Sequence, residues 1–262
     1  MCLLAIMHRI HPEAALIVAA NRDEALSRQA IAMTVLQEQG PRILGGRDLL
    51  AGGTWLAINE HGVLAGLTNR PSRGAATGLR SRGELPLALA THPTAAAAVT
   101  AFSEQFSPAD FAPGWLLVGD RNDLFSLDMT GGNRPEVKPL AAGSHVLENR
   151  PPGTRSAKVE QTTAALRASL SLGGQALQEH LGKMLGDHTV PPGAGVPAPG
   201  ETTPREGRQQ TACVHAGPYG TRSALIALVG EQPRPRLWSA DGPPCRAPLQ
   251  PVSHLWDPAP AE

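Results

Sequence analysis

Aromatic side chains are scarce in this chain: four Trp, four Phe and one Tyr among 262 residues. Its core must therefore be filled with Leu, Val, Ile and Ala. Charge is balanced, with 23 Lys and Arg against 23 Asp and Glu. That excludes a basic field for nucleic acid and a polybasic membrane patch. Cysteine is sparse and odd in number, at positions 2, 213 and 245. The spacing matches no zinc knuckle, and the odd count argues against a disulfide framework. No apolar run approaches transmembrane length. Leu3 to Met7 is too short for the apolar part of a signal peptide and has no basic stretch before it. Asn21-Arg22-Asp23 stands where a cleavage site would fall. These absences lead to the expectation of a cytoplasmic protein with no nucleic-acid partner, no membrane span and no metal site.

What the sequence does contain is concentrated in its first two dozen residues. Leu3 to Met7 and Ala14 to Ala20 are apolar runs of strand length, and Ile10-His11-Pro12-Glu13 breaks them as a turn would. Paired antiparallel, they bring Cys2 and Asn21-Arg22-Asp23-Glu24 to one end of a sheet. Cys2 has a small side chain, which makes Met1 a target for removal after synthesis. The exposed α-amine, with a pKa of about 7.7–8.0, can then act as general base for the thiol of the same residue. The competing reading makes Cys2 a small buried residue of an N-terminal strand.

Further along, Trp55 to Ile58 and Val63 to Leu67 read as a hairpin around Asn59-Glu60-His61-Gly62. Leu85 to Ala90 reads as a short helix. A second helix is expected with Thr91 as cap and Pro93 in its first turn, placing Val99, Phe102 and Phe106 on one face. Trp115 to Val118 and Leu124 to Leu127 form another hairpin, and His145 to Leu147 a short strand ending at Glu148-Asn149-Arg150. Ser156 to Leu170 and Gln175 to Leu185 are helical. Residues 186–210 are rich in proline and glycine and read as a long surface loop. Strands resume at Ala212 to His215, at Ala224 to Val229 and at Arg236 to Ser239. The tail from Pro251 is expected to be loosely held. Strands, then helices, then strands argue for antiparallel sheets covered by helices, in a single domain over 1–262.

Five motifs in order carry a resemblance. They are Met1-Cys2, Ala19-Ala20-Asn21-Arg22-Asp23-Glu24, Gly46-Arg47-Asp48-Leu49 with Gly52-Gly53-Thr54-Trp55, Leu67-Thr68-Asn69, and Tyr219-Gly220-Thr221-Arg222-Ser223. Together they resemble the NRDE family, also called the transport and Golgi organisation protein 2 family. That family in turn looks like the N-terminal-nucleophile hydrolases, especially the cholylglycine hydrolase and penicillin V acylase group. The resemblance implies an α+β fold, a four-layer αββα sandwich. It implies Cys2 as nucleophile, Asp23 holding the α-amine, Asn69 near the nucleophile, Asn149 donating to the oxyanion and Arg222 supporting the cysteine. Asn21 and Arg22 join this set through their place in the motif. There is one departure: Ala20 stands where the hydrolases carry an arginine, and Arg22 follows the asparagine instead.

Each residue also has a structural reading. Asn21 can cap a turn, Arg22 and Asp23 can form a surface ion pair, Asn69 and Asn149 can be ordinary loop residues, and Arg222 can brace Asp23 or Asp48. Cys213 and Cys245 read as inert core residues, and His8, His61 and His215 as structural. Two function classes stand side by side. One is an enzyme that hydrolyses a linear amide or related acyl bond through Cys2 and needs no cofactor. The other is a carrier for haem or an acyl-lipid ligand. The aliphatic, aromatic-poor composition leads to the expectation of an aliphatic cleft suited to an acyl chain or a macrocycle.

Overall fold

Leu3, Ala5 and Met7 are buried on one side of the first strand, and Leu4 and Ile6 on the other. A strand buried on both faces needs a layer above and a layer below it. The computed structural model describes residues 2–70, 80–197 and 207–258 and supplies both. Along the chain come β1 (Leu3–His11), β2 (Ala14–Ala25), β3 (Ala30–Gln37), β4 (Ile43–Asp48), β5 (Leu56–Asn59) and β6 (Leu64–Asn69). Helices α1 (Glu84–Ala90) and α2 (Ala95–Gln105) follow, then β7 (Gly114–Gly119), β8 (Leu124–Asp128), β9 (Glu136–Pro139) and β10 (Gly143–Leu147). After α3 (Ala157–Ala168) and α4 (Gly174–Gly186) the chain returns to strands: β11 (His215–Ala216), β12 (Tyr219–Val229), β13 (Arg236–Asp241) and β14 (Gln250–Pro251).

These strands make two antiparallel sheets of seven strands each. One runs β10-β1-β2-β12-β13-β14 with β11 beside β12, and the other runs β3 to β9 in sequence order. Leu4, Ile6, Leu16 and Val18 of the first sheet meet Leu56, Ile58, Leu64 and Leu117 of the second. The outer face of the first sheet packs Leu3, Ala5 and Ile17 on Leu166 of α3 and Leu177, Leu181 and Leu185 of α4. The outer face of the second packs Ala65, Leu67 and Leu116 on Leu85, Leu89, Val99 and Phe102 of α1 and α2. This is the expected αββα sandwich. It is built largely on aliphatic side chains, with Trp115, Trp256 and Phe102 as the largest aromatic contributions.

Several local expectations need correction. The Gly45-Gly46 pair lies inside a strand. A Cβ on Gly45 would come 2.3 Å from the Leu56 carbonyl oxygen, and one on Gly46 would come 1.9 Å from the Trp55 ring. Close approach demands these glycines. Helix α2 is capped by Thr94, whose hydroxyl accepts from the Ala97 N–H at 3.1 Å. Thr91 instead closes α1, its N–H donating to the Ala88 carbonyl. Strands β3 and β9 add to those expected, and β11 begins only at His215, not at Ala212. As far as residue 258 the tail is held rather than loose: β14 pairs with β13, and Trp256 is buried with its Nε1–H donating to the Pro235 carbonyl at 2.8 Å. Of the proline-rich stretch, residues 198–206 lie outside the described residues. Those before them are irregular, and Gly207–Gln210 form a short 3-10 turn.

Candidate active site

The register of the first hairpin pairs Leu3 with Asn21, so Cys2 sits beside Arg22 at the end of β1. The pleat of β2 then sends the four motif side chains to opposite sides. Asn21 turns to the helix layer, where its Nδ2 donates to the Leu185 and Ala212 carbonyls, 2.9 Å each. It ties the end of α4 and the approach to β11 onto β2 and does not reach the cleft. Arg22 turns to the space between the sheets. Its guanidinium lies 4.4 Å over the Trp55 ring, and its Nη2 donates to Asp48 Oδ2 at 3.0 Å. Arg22 Nη1 is buried and has no hydrogen-bond partner among the described residues.

The glycine-rich motif exists to hold that arginine. Gly46 leaves room for Trp55, and Gly53 and Gly83 approach backbone to backbone, 2.6 Å from a would-be Cβ. Asp48 accepts from Arg22, from Arg28 Nε at 2.6 Å and from the Leu50 and Ala51 N–H groups at 3.0 Å each. Burial pushes the Asp48 carboxyl up, but the Arg28 hydrogen bond and the Ala51 and Leu50 amides outweigh it and hold the group below its ordinary range. The sequence offered Asp48 as a motif letter and as a partner for Arg222; its partners Arg22 and Arg28 lie 26 and 20 residues away.

Asp23 is buried on the helix side. Its Oδ1 accepts from the Thr221 hydroxyl at 2.6 Å, and its Oδ2 lies 3.8 Å from Lys158 Nζ of α3. Burial pushes its carboxyl up, and Lys158 and the Thr221 hydroxyl pull it part of the way back. Lys158 is itself 1% exposed, and its ammonium makes no hydrogen bond among the described residues. Nothing in the spacing pointed to it, because its helical face was read only for apolar positions. What carries it there is a chain of contacts. Thr68 Oγ1 donates to the Glu148 carbonyl at 3.0 Å, Ser156 Oγ donates to Glu148 Oε1 at 2.6 Å, and Ser156 caps α3 by accepting from the Val159 N–H.

Asn149 follows β10. Its Oδ1 accepts from the Cys2 main-chain N–H at 2.9 Å, and its Nδ2 donates to the Asn69 carbonyl. Asn149, the expected oxyanion donor, thus also brackets Cys2 and the end of β6. Asn69 lines the cleft, and its main-chain carbonyl is the acceptor for Asn149. Arg222 departs furthest from expectation. It is the bulged residue between Thr221 and Ser223, and its guanidinium donates to the Leu26 carbonyl, away from the cleft. A bulge reverses the alternation that sequence position suggests, and Thr221 takes the inward place.

The cleft at Cys2 measures about 200 Å³ and is lined by Arg22, Glu24, Arg28, Asn69, Arg82 and Trp55 among others. It is polar and rich in guanidinium, contrary to the aliphatic lining expected from composition. Arg82 Nη1 donates to the Pro113 carbonyl at 2.8 Å, and burial lowers its pKa. Burial, with the Asp23 charge behind it, pushes the Cys2 thiol up from its ordinary value; the terminal amine, the Asp23 main-chain N–H and the Arg22 charge pull it down without offsetting that.

Comparison with known proteins agrees with this architecture. A family model described as Transport and Golgi organisation 2 matches residues 1–238. The Bos taurus Transport and Golgi organization protein 2 homolog is 30% identical over 235 residues, 82% of each chain. Among solved structures, a Caenorhabditis elegans ortholog of N-acylethanolamine-hydrolyzing acid amidase superposes with a TM-score of 0.52 at 14% identity, covering 87% of this chain and 92% of that one. Penicillin V acylase from Agrobacterium tumefaciens gives 0.52 at 13%, over 92% and 83% of the two chains. A variant of the Clostridium perfringens conjugated bile acid hydrolase gives 0.53 at 10%, over 98% and 94%. The fold is that of the N-terminal-nucleophile hydrolases, and within it the matched sequence shows that the chain belongs to the Transport and Golgi organisation 2 family.

Proposed function

We propose that this protein is an N-terminal cysteine amidohydrolase acting on a small, polar amide or related acyl compound. The observation that carries the reading is the Cys2 main-chain nitrogen held by Asn149 Oδ1 at 2.9 Å at the head of an open polar cleft. Once Met1 is removed, that nitrogen is the α-amine. The Cys2 sulfur then attacks the substrate carbonyl while its proton passes to the amine. The amine returns the proton to the leaving nitrogen as the C–N bond breaks. Water hydrolyses the thioester and restores the thiol. The Asn69 amide, which lines the cleft, and the Asn149 amide beside Cys2 are the side-chain groups that can donate to the oxyanion. Guanidinium groups of Arg22, Arg28 and Arg82 along the wall favour a substrate carrying a carboxylate or phosphate. The neighbours named amidase, acylase and hydrolase lend the reaction class as analogy of fold only.

The test is intact mass after exposure of the purified protein to a nitrophenyl ester of a short dicarboxylic acid. The mature chain should begin at Cys2 and gain one acyl group, lost in Cys2→Ala. A protein that keeps Met1 on nearly every molecule, or that is never acylated at Cys2, removes the amidohydrolase reading.

A carrier role for an acyl-lipid or haem ligand is the second reading. Its support is a separate cavity of about 340 Å³ between β7 to β10 and α3, with Leu117, Leu140, Val146, Leu147 and Val159 in its wall. That is the small end of the ~300–1,000 Å³ typical of ligand pockets and suits an acyl chain better than a macrocycle. A rise in melting temperature with a long-chain acyl thioester or with haem, unaffected by Cys2→Ala, supports carriage. No shift at saturating ligand counts against it.

A further inference from the structure

The two late cysteines lie outside the cleft at Cys2, and the fold brings them together. The Sγ atoms of Cys213 and Cys245 are 3.6 Å apart, and His215 Nε2 lies 3.6 Å from the first and 3.2 Å from the second. The His188 ring stands edge-on to His215 with centroids 5.7 Å apart. Ligand atoms of His188, His215 and Cys245 all fall within 4.8 Å of one another. Residue 188 follows α4, 213 and 215 flank the start of β11, and 245 lies in the loop between β13 and β14. No spacing in the sequence announces such a set, which is why both cysteines were read as inert.

We propose that Cys213, His215, Cys245 and His188 form a binding site for a divalent cation of the zinc class, closing the end of α4, the β11 strand and the loop after β13 onto one another. The donor distances among Cys213, His215 and Cys245 support it, with His188 joining from the side of His215 and Cys245. With Zn–S of about 2.3 Å and Zn–N of about 2.0–2.1 Å, a tetrahedral centre has S···S edges of about 3.8 Å and S···N edges of about 3.5 Å. The three tightest donors lie at 3.6, 3.6 and 3.2 Å, within a few tenths of those edges. Two thiolates and two imidazoles are a donor set suited to zinc, and the thiolates neutralise its charge.

The surroundings are also those of a held ligand set. His188 Nδ1 donates to the Gly186 carbonyl at 3.3 Å, which fixes the tautomer that leaves Nε2 for a metal. The Cys213 N–H donates to the Asp187 carbonyl at 2.8 Å, and the Thr211 hydroxyl to the Cys213 carbonyl at 2.6 Å. Gly186 lies close against the loop, where a Cβ would come 3.3 Å from the Cys245 nitrogen. The cluster sits at the carboxyl end of the 13-residue α4, where the helix dipole favours a cation. Val214, between two of the proposed ligands, donates its N–H to Thr221 Oγ1 at 2.8 Å, and Thr221 donates to Asp23. The site therefore fixes the segment that supports the buried carboxylate beside Cys2.

The test uses full-length protein purified with a reductant and no chelator. Elemental analysis should find about one zinc per chain. Replacement by Co²⁺ should give the intense visible bands of tetrahedral cobalt and a thiolate-to-cobalt charge-transfer band in the near ultraviolet. Cys245→Ser changes a half-buried loop position and should remove most of the charge-transfer intensity while the protein stays folded. His188→Ala should retain the thiolate bands with affinity lower by on the order of tenfold or more, since loss even of an outer partner costs ~10–100-fold. Reduced wild-type protein that shows no cobalt bands overturns the proposal. So do bands that survive Cys245→Ser unchanged. An intact mass two hydrogens short, with Cys213 and Cys245 joined and zinc without effect, assigns the cluster to a disulfide instead and overturns it as well.

Discussion

Replacing Lys158 by Met tests whether the buried ammonium supports Asp23. The substitution keeps the length of the side chain and removes a charge 3.8 Å from Asp23 Oδ2, with both side chains at most 1% exposed. At an effective dielectric near 20, that attraction is about 4 kcal/mol. Removing one member of a buried pair commonly costs about 3–5 kcal/mol. Asp23 can escape the penalty by taking up a proton. From an unfolded carboxyl pKa near 3.9, protonation at pH 7 costs about 4 kcal/mol, and at pH 5 about 1.5 kcal/mol. The predicted loss is thus up to about 4 kcal/mol at pH 7, a fall in Tm of roughly 8–16 °C, and it shrinks as the pH drops to 5. The sign follows from burial, which raises the folded pKa of Asp23. A raised carboxyl pKa gives stability that is fully present below the unfolded value and is lost as pH rises through the folded one. Without Lys158 the folded pKa rises further, so that loss becomes larger. Adding Asp23→Asn should recover most of the stability at pH 7 and flatten its pH dependence. Urea unfolding of wild type, the Lys158→Met variant and the double variant at pH 5, 6 and 7 measures all of this. A single variant within about 0.5 kcal/mol of wild type at pH 7, or a gap that does not narrow by pH 5, refutes the reasoning.

Asp48→Asn loosens both Arg22 and Arg28 and should destabilise by about 2–4 kcal/mol. Because the Asp48 carboxyl is held below its ordinary range, its contribution is present above the unfolded pKa and lost as pH falls through the folded one. The variant and wild type should therefore converge below about pH 4, read from Tm against pH. Gly46→Ala drives a methyl into the Trp55 ring; the expected loss is about 1–3 kcal/mol, with a shift in Trp fluorescence as the Arg22 stack is displaced. Trp256→Ala should cost about 3–5 kcal/mol, and a change below about 0.5 kcal/mol in urea unfolding would mean that the tail is not anchored as described.

The layers of the fold were legible because burial leaves a period in the sequence. Leu3 to Met7 and Ala14 to Ala20 could be read as paired strands, and α3 and α4 as helices, from spacing alone. β4 was not legible because its glycines answer to the Trp55 ring and the Leu56 carbonyl, contacts that leave no local trace. Thr94 and Thr91 are both plausible caps in a string of small residues, and only the hydrogen bond to Ala97 separates them. Lys158, Asp48 and the Cys213–Cys245 pair belong to arrangements made by residues 20 to 135 positions apart. Single-chain spacing carries no record of such meetings.

The placement of the motif letters explains what a linear reading of them gets right and wrong. Asn21, Arg22, Asp23 and Glu24 are neighbours in sequence, yet the pleat gives them different tasks. Asn21 binds the helix layer, Arg22 the Trp55 and Asp48 wall, Asp23 the Thr221 and Lys158 pair, and Glu24 the cleft. Burial, followed by the Asp23 charge, raises the Cys2 thiol, and the Arg22 charge, shared with Asp48, does not reverse that. A thiol that stays protonated until substrate arrives requires a base in contact with it. In this site the nitrogen closest to hand is that of Cys2 itself, held by Asn149. The geometry around that nitrogen, more than the acidity of the sulfur, is therefore the quantity on which any acyl transfer by this chain depends.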